Sequence, residues 1–299
     1  MDETRAAPFE AIPRTPGRND LRSLVQPFVR NKGAVAGFLV VILLSLMAMF
    51  APVIAPYGAA ETSVDTLRRP GLAHPLGTDA LGRDLLSRIM YGARISLVVG
   101  FAAVIISLLF GASLGVVAGY LGGWADDVLM RCSDVLMAIP GIVLALALVA
   151  AFGPSVLAVI FAIAVSGAPG DARLARSQTL YERGLDYVTA ARAIGAGRAR
   201  IMWRHIVPNI SGVLIVRATT NLGTAILITA GLSFLGLGVP PPTPTWGGMV
   251  SEGRQYIFTQ AHVSIVPGLF IMVTVLAFNI AGDGIRDVLD PHAKTRTGA

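Results

Sequence analysis

The stretch "GAVAGFLVVILLSLMAMFAPVIA", residues 33–55, runs for 23 residues without a charged side chain. A helix rises 1.5 Å per residue and needs about 20 apolar residues to cross a bilayer core. This run is therefore long enough to span a membrane. It is too long for the apolar region of a cleavable signal peptide, and a 32-residue head with a basic flank at 22–32 precedes it. The reading is an uncleaved transmembrane helix. The whole chain of 299 residues agrees, with 54% hydrophobic and only 14% charged residues and a mean hydropathy of +0.67. Soluble domains carry about 25% charged residues, so lipid has to supply part of the solvent.

Further apolar runs follow. One covers residues 95–120. The uncharged run 135–170 is too long for one helix and only just long enough for two. Its break at Gly153, Pro154 and Ser155 predicts two short spans joined by a tight turn, with a re-entrant hairpin as the rival. A fifth run covers 210–237, with Arg217 near its start, and a sixth 263–282. A bilayer admits only helices or closed barrels, and no two-residue alternation appears. The expected fold class is an all-α integral membrane protein with six transmembrane helices. Its expected organisation is a tail at 1–32, a first helix at 33–55, an outer loop at 56–93 and a membrane domain at 94–283. That domain includes an inner loop at 171–209, and a tail at 284–299 closes the chain.

Basic residues orient such proteins, being enriched in the cytoplasmic loops. With both termini inside, the inner segments hold 17 of the 24 lysines and arginines and the outer loops six. Arg217 lies within the fifth span. The net charge of +6 is spread along loops without aromatic interleaving, which argues against nucleic acid. One cysteine, Cys132, excludes an internal disulfide framework and a Cys-based zinc cage.

The inner loop contains "YVTAARAIGAGRARIMWRHIVPN", residues 187–209. Alanines sit beside Tyr187, Val188 and Ile194; Gly195 and Gly197 break the helix; a second helical piece runs from Arg198 until Pro208 ends it. This predicts a helix–turn–helix along the membrane surface. Ala190 and Ala191 keep the first helix slim enough to enter a groove. Arg192, Arg198, Arg200 and Arg204 can pair with acidic groups or lipid headgroups. An interfacial loop that only holds lipid has the same composition.

The stretch resembles the cytoplasmic coupling loop of binding-protein-dependent ABC importer permeases. That pattern is Glu-Ala-Ala, three residues, Gly, nine residues, Ile, one residue, Leu-Pro. Here Thr189, Ala190, Ala191, Gly195, Val207 and Pro208 occupy its places, with Arg192 inside it. Thr189 replaces the acidic residue and His205 the isoleucine. The resemblance implies that the loop seats on a separate ATPase subunit, with Thr189 in place of the carboxylate that would make one of the salt bridges.

"HPLGTDALGRDLLSRIMYGARISL", residues 74–97, is more specific. Thr78 or Asp79 is a good N-cap for a helix starting near Ala80. Leu81, Leu85, Leu86 and Ile89 would form its apolar stripe, and Asp84 and Arg88 a pair at i, i+4. That describes an interfacial helix feeding the second span. As a string it resembles the segment before that span in permeases of the dipeptide, oligopeptide and nickel importer group, C-type partner. "RCSDVLMAIPG" (131–141), "AGLSFLGLGVPPPTPTWGGMV" (230–250) and "NIAGDGIRDVLDP" (279–291) are similar to the same group. The 230–250 stretch reads most like glutathione and dipeptide members.

The resemblance covers about residues 30–292. It implies a permease of the bacterial inner membrane that moves small peptides. Its implied partners are a homologous permease as heterodimer, two ATPase subunits and an extracytoplasmic substrate-binding protein. ATP and Mg would be bound by the ATPases, with no cofactor in this chain. The alternatives are a nickel-chelate permease and a self-sufficient secondary transporter, which would show intramembrane ionisable residues in matching halves.

Polar groups in spans are expensive and so mark candidates. Asn221, Thr224 and Thr229 fall in the fifth span and Asn279 in the sixth. Asn221, Thr224 and Asn279 are candidates for the translocation path, with interhelical hydrogen bonding as the alternative. Gly111, Gly115 and Gly119 allow close helix approach, either within the chain or to a companion. The loop 240–246, "PPPTPTW", ends in a tryptophan suited to the interface. His74, His205, His262 and His292 lack metal-ligand spacing. No phosphate-binding loop with its lysine and no nucleophile elbow appears, so ATP hydrolysis and acyl chemistry are not expected here.

Overall fold

The computed structural model describes residues 31–289 together with Val29. Most of the tail 1–32, and residues 290–299 of the closing tail, lie outside the described residues. Every regular element among the described residues is helical.

Helix α1 (Lys32–Ile54) begins where Asn31 Oδ1 accepts the Ala34 N–H at 3.1 Å. Its outer face, including Leu43 and Val53, is exposed apolar surface, as lipid contact requires. The chain then crosses irregularly to α2 (Leu85–Leu121), a 37-residue helix about 55 Å long. The interfacial helix predicted to start near Ala80 does not form. Gly82 takes a φ of +70°, which a right-handed helix cannot contain. The cap is instead Asp84, whose Oδ2 accepts from Ser87 N–H and Oγ–H, both at 2.8 Å. Leu81 thus falls outside the stripe and is exposed, while Leu85 and Ile89 are fully buried.

Helices α3 (Gly123–Met137) and α4 (Gly141–Phe152) meet at 87°. Helix α5 (Val156–Arg183) follows. A Cβ on Gly111, Gly115 or Gly119 would lie 2.4, 2.1 and 2.9 Å from the carbonyl oxygens of Ala168, Ala172 and Arg176. Each pair is offset by the same number of residues, so α2 and α5 run parallel with backbones in contact. The glycine repeat therefore serves packing within this chain. Parallel neighbours require the chain to return across the membrane between them. The bent pair α3–α4 makes that return, because α4 alone, about 18 Å long, is too short. The break the sequence did not reveal lies at Ala138, Ile139 and Pro140, where Pro140 caps α4.

Helix α6 (Asp186–Ala193) leads through Gly195 and a turn at Arg198–Arg200 into a π-helical stretch, Ile201–Ile206, and α7 (Val207–Phe234). Pro208 does not end the second helical piece as predicted. It sits in the first turn of α7, where a missing N–H is tolerated. The wider π turn, closed by the Val207 N–H on Met202 O, precedes it. Asn209 Nδ2 donates to His205 O at 2.7 Å and satisfies a carbonyl there. Helix α8 (Trp246–Gly253) and α9 (His262–Leu289) close the described residues. Five helices are long and apolar enough to cross a bilayer, and the bent pair supplies the sixth crossing.

Asn31 Nδ2 donates to Asp287 Oδ2 at 3.2 Å, so both ends of the described chain lie on one side. Tyr57 N–H donates to Ser87 Oγ at 3.1 Å, joining the far end of α1 to the start of α2. The opposite end of α2, at Tyr120, meets α6 through Arg192. The segment around α6 therefore shares the side of the chain ends.

Candidate functional site

The segment 186–206 is anchored by one face and open on the other. Val188 and Ala191 are buried with Val116 and Tyr120 of α2, Ala175 of α5, and Ile201 and Ile206. Tyr187 is held at α6's start: its hydroxyl donates to Glu182 Oε2 at 2.6 Å and accepts from Asn209 Nδ2 at 3.1 Å. Burial, and next the Glu182 bond, push its pKa up to about 12, so the phenol stays protonated. Thr189, Ala190, Arg192 and Gly195 are exposed, and Ile194 is 86% exposed. Ala190 and Ala191 thus part company: Ala190 faces out and Ala191 packs inward. His205 is half-buried and Pro208 exposed, behind the open face. Gly195 makes the turn at a φ of +84°, with nothing near the position of a Cβ.

On this side Arg173 and Arg176 pair with Asp134 and Asp126, whereas Arg183, Arg192, Arg198, Arg200 and Arg204 have no carboxylate partner among the described residues. Arg192 lies over the Tyr120 ring at 5.3 Å, and Arg183 Nη1 donates to Gly119 O at 3.2 Å. Together with Arg198 they border a recess of about 420 Å³.

A second region lies among the helices. A cavity of about 250 Å³ is bordered by Ser107, Ser166, Gly170, Arg217, Asn221 and Thr224, with apolar side chains between them. Asn221 and Thr224 thus share one wall. Asn279 is exposed on α9 beside Gly223 and does not border this cavity. Thr229 is buried, and its hydroxyl donates to Ala225 O at 2.8 Å. Ser107 and Asp171 escaped the sequence reading. The uncharged run ends at Gly170 and so leaves Asp171 in the inner loop, yet α5 continues through it to Arg183. The available signal was an acid and an arginine, Arg217, both bordered by apolar runs.

At the far end, two of the four quoted stretches meet. Asp79 Oδ1 accepts the Leu81 and Arg83 N–H groups at 2.8 and 3.0 Å. Its Oδ2 accepts from Arg83 Nε at 2.7 Å and from Arg88 Nη1. Glu252 Oε2 accepts from Arg83 Nη2 and Arg88 Nη1, both at 2.8 Å. The predicted Asp84–Arg88 pair does not form, because Asp84 caps α2 and bonds His74 Nδ1 at 2.9 Å. Trp246 is not an interface anchor either: it is fully buried and donates through Nε1 to Ile89 O at 3.0 Å.

The chain matches two family models. Residues 111–295 match the binding-protein-dependent transport system inner membrane component. Residues 21–75 match the N-terminal transmembrane domain of oligopeptide transport permease C. A di/tripeptide transport system permease protein DppC of Pseudomonas aeruginosa is 46% identical, covering 92% of this chain and 93% of the relative. A glutathione transport system permease protein GsiD of Pectobacterium atrosepticum is 45% identical over 94% and 93%. Among solved structures, a chain of the MetNI methionine ABC transporter superposes with a TM-score of 0.54 at 22% identity, over 68% of this chain and 96% of that one. That likeness bears on the fold.

Proposed function

The chain belongs to the binding-protein-dependent transport system inner membrane components, and on that premise we propose that it is the C-type permease of a peptide importer. Membership makes it a multi-pass transport subunit of the bacterial inner membrane, not an enzyme, working with a substrate-binding protein and with separate ATPase subunits. Short peptides as cargo are supported by relatives named for di/tripeptides and glutathione at 45–46% identity. A homologous permease completes the path as a heterodimer. ATP and its Mg ion are held by the two ATPases. The 17 basic residues of the inner segments, against six outside, support placing both termini in the cytoplasm.

The observation that carries the mechanism is the two-faced α6. Its inner face is built into the ends of α2, α5 and α7, so force applied to it reaches three spans. Its outer face presents Thr189, Ala190, Ile194 and Gly195, small or apolar groups that fit a groove on the ATPase. Arg192 and the neighbouring arginines offer charge around that contact. Nucleotide-driven closure of the ATPases shifts this handle, and the spans exchange between two arrangements that loaded receptor and nucleotide bias from opposite sides.

Reconstitution tests the reading. Vesicles holding this chain, its companion permease and the ATPases, given receptor loaded with a dipeptide, should accumulate peptide only with ATP. Uptake by this chain alone on an ion gradient would overturn it.

A further inference from the structure

Asp171 and Arg217 are opposite charges within spans, and the α6 handle uses neither. Asp171 is completely shielded. A carboxylate buried at that depth is costly unless paired and hydrogen-bonded. Ser107 Oγ from α2 donates to its Oδ2 at 2.7 Å, and Asn221 Nδ2 from α7 to its Oδ1 at 3.0 Å. Arg217 Nε donates to Oδ1 at 3.3 Å and supplies the compensating charge.

Arg217 itself is not shielded. Its side chain is 43% exposed and borders the 250 Å³ cavity. Only Nε is engaged. Nη2 lies beside Gly170, where a Cβ would be 3.2 Å away, and Asp171 is the one acid in salt-bridge range among the described residues. On α7, positions 217, 221 and 224 fall at i, i+4 and i+7, a single helix face, and all three border the cavity with Ser107 and Ser166.

The geometry points to Arg217, held by Asp171, as an anion-recognising point on the translocation path, receiving side-chain carboxylates of passing peptides at its Nη edge. This rests on the peptide-import reading. A guanidinium suits the task because one edge can stay with Asp171 while the other grips a carboxylate in a fork; a lysine ammonium has no second edge. The pairing also sets the strength. A lone cation in a low-dielectric cavity would hold an anion firmly, whereas a path must release what it binds. Neutralised by Asp171, Arg217 keeps its directed donors without a large net field.

The test is cargo selectivity in the reconstituted importer, with saturating receptor preloaded with either Ala-Glu or Ala-Lys. In Arg217→Gln, the ratio of Ala-Glu to Ala-Lys uptake should fall about fivefold, the scale of a half-exposed charge-assisted contact. Arg217→Gln combined with Asp171→Asn removes both charges and should show the same fall, separating selectivity from the cost of an unpaired Asp171. A purely structural role would lower uptake of both peptides alike and leave the ratio unchanged, as would an anionic-lipid site in the same place; that result overturns the proposal alone. Wild-type vesicles that import neither peptide under ATP would overturn the import reading and this proposal with it.

Discussion

The Asp79 network at one end of the bundle and the α6 segment at the other treat arginine in opposite ways. At the end bearing Trp246, Arg83 and Arg88 are almost fully buried and close onto Asp79 and Glu252, so charge is balanced and every carboxylate oxygen of Asp79 is occupied. At the α6 end, Arg192, Arg198, Arg200 and Arg204 are exposed and have no acidic partner among the described residues. A closed network ties separate loops into one rigid surface. An open set of cations on a firmly anchored helix is complete only when something else brings the counter-charge. The difference separates a network closed within the chain from a set of cations left open, which is what the proposed docking on the ATPase requires.

The largest effect should come from opening the closed end. Asp79→Asn keeps the shape but leaves Arg83 and Arg88 with Glu252 alone, which is 37% exposed. Breaking a buried ion pair this way costs about 3–5 kcal/mol. The thermal midpoint of the purified protein in detergent should drop sharply. A variant as stable as wild type would show that the network does not hold this end together.

Loading the open end should cost less stability than opening the closed one, and should abolish assembly. Gly195→Arg places a long cation on the exposed turn, and ATPase co-purification should be lost. Because Gly195 has a φ of +84°, any L-residue there adds about 1–2 kcal/mol of strain. Gly195→Ala carries the same strain without the bulk and should still recover the ATPase. Equal recovery with both variants would remove α6 from the docking face.

The contrast between the ends was only partly legible in the sequence. Hydrophobic runs gave α1 and α7 within a few residues, because lipid demands long uninterrupted apolar helices; they gave the membrane-spanning parts of α2 and α9 but not their polar extensions, ten residues before the run in α2 and seven after it in α9. The third crossing was harder: α3 is amphipathic, and Pro140 breaks the crossing inside an uncharged run, where hydropathy carries no mark. The closed network was missed because Glu252 lies 169 and 164 residues from Arg83 and Arg88, and because the i, i+4 rule was applied to Asp84 and Arg88, whereas the pair that forms at that spacing, Asp79 and Arg83, lies outside any helix. Asp171 was missed for a related reason. The first charge after the uncharged run reads as the start of a loop, but α5 continues to Arg183, with α2 packed against its backbone at Ala168 and Ala172. The family pattern marked the handle, yet could not show that Ala190 and Ala191 face opposite ways.

The smallest effect sharpens the anchoring of the open end. Tyr187→Phe removes a hydroxyl that donates to Glu182 and accepts from Asn209. A net hydrogen bond is worth about 1 kcal/mol, so amide exchange in α6 should rise several-fold with global stability little changed. The pH dependence has a definite sign. Tyr187's pKa is raised from 10.0 to about 12, so the folded state favours the protonated phenol. Its stabilisation is full below pH 10 and lost as pH rises through 12. Exchange protection of α6 relative to the Tyr187→Phe variant should therefore stay constant from pH 6 to 9, once the intrinsic exchange rate is divided out. A protection ratio that collapsed within that interval would mean that a group other than this phenol fastens the handle to the bundle.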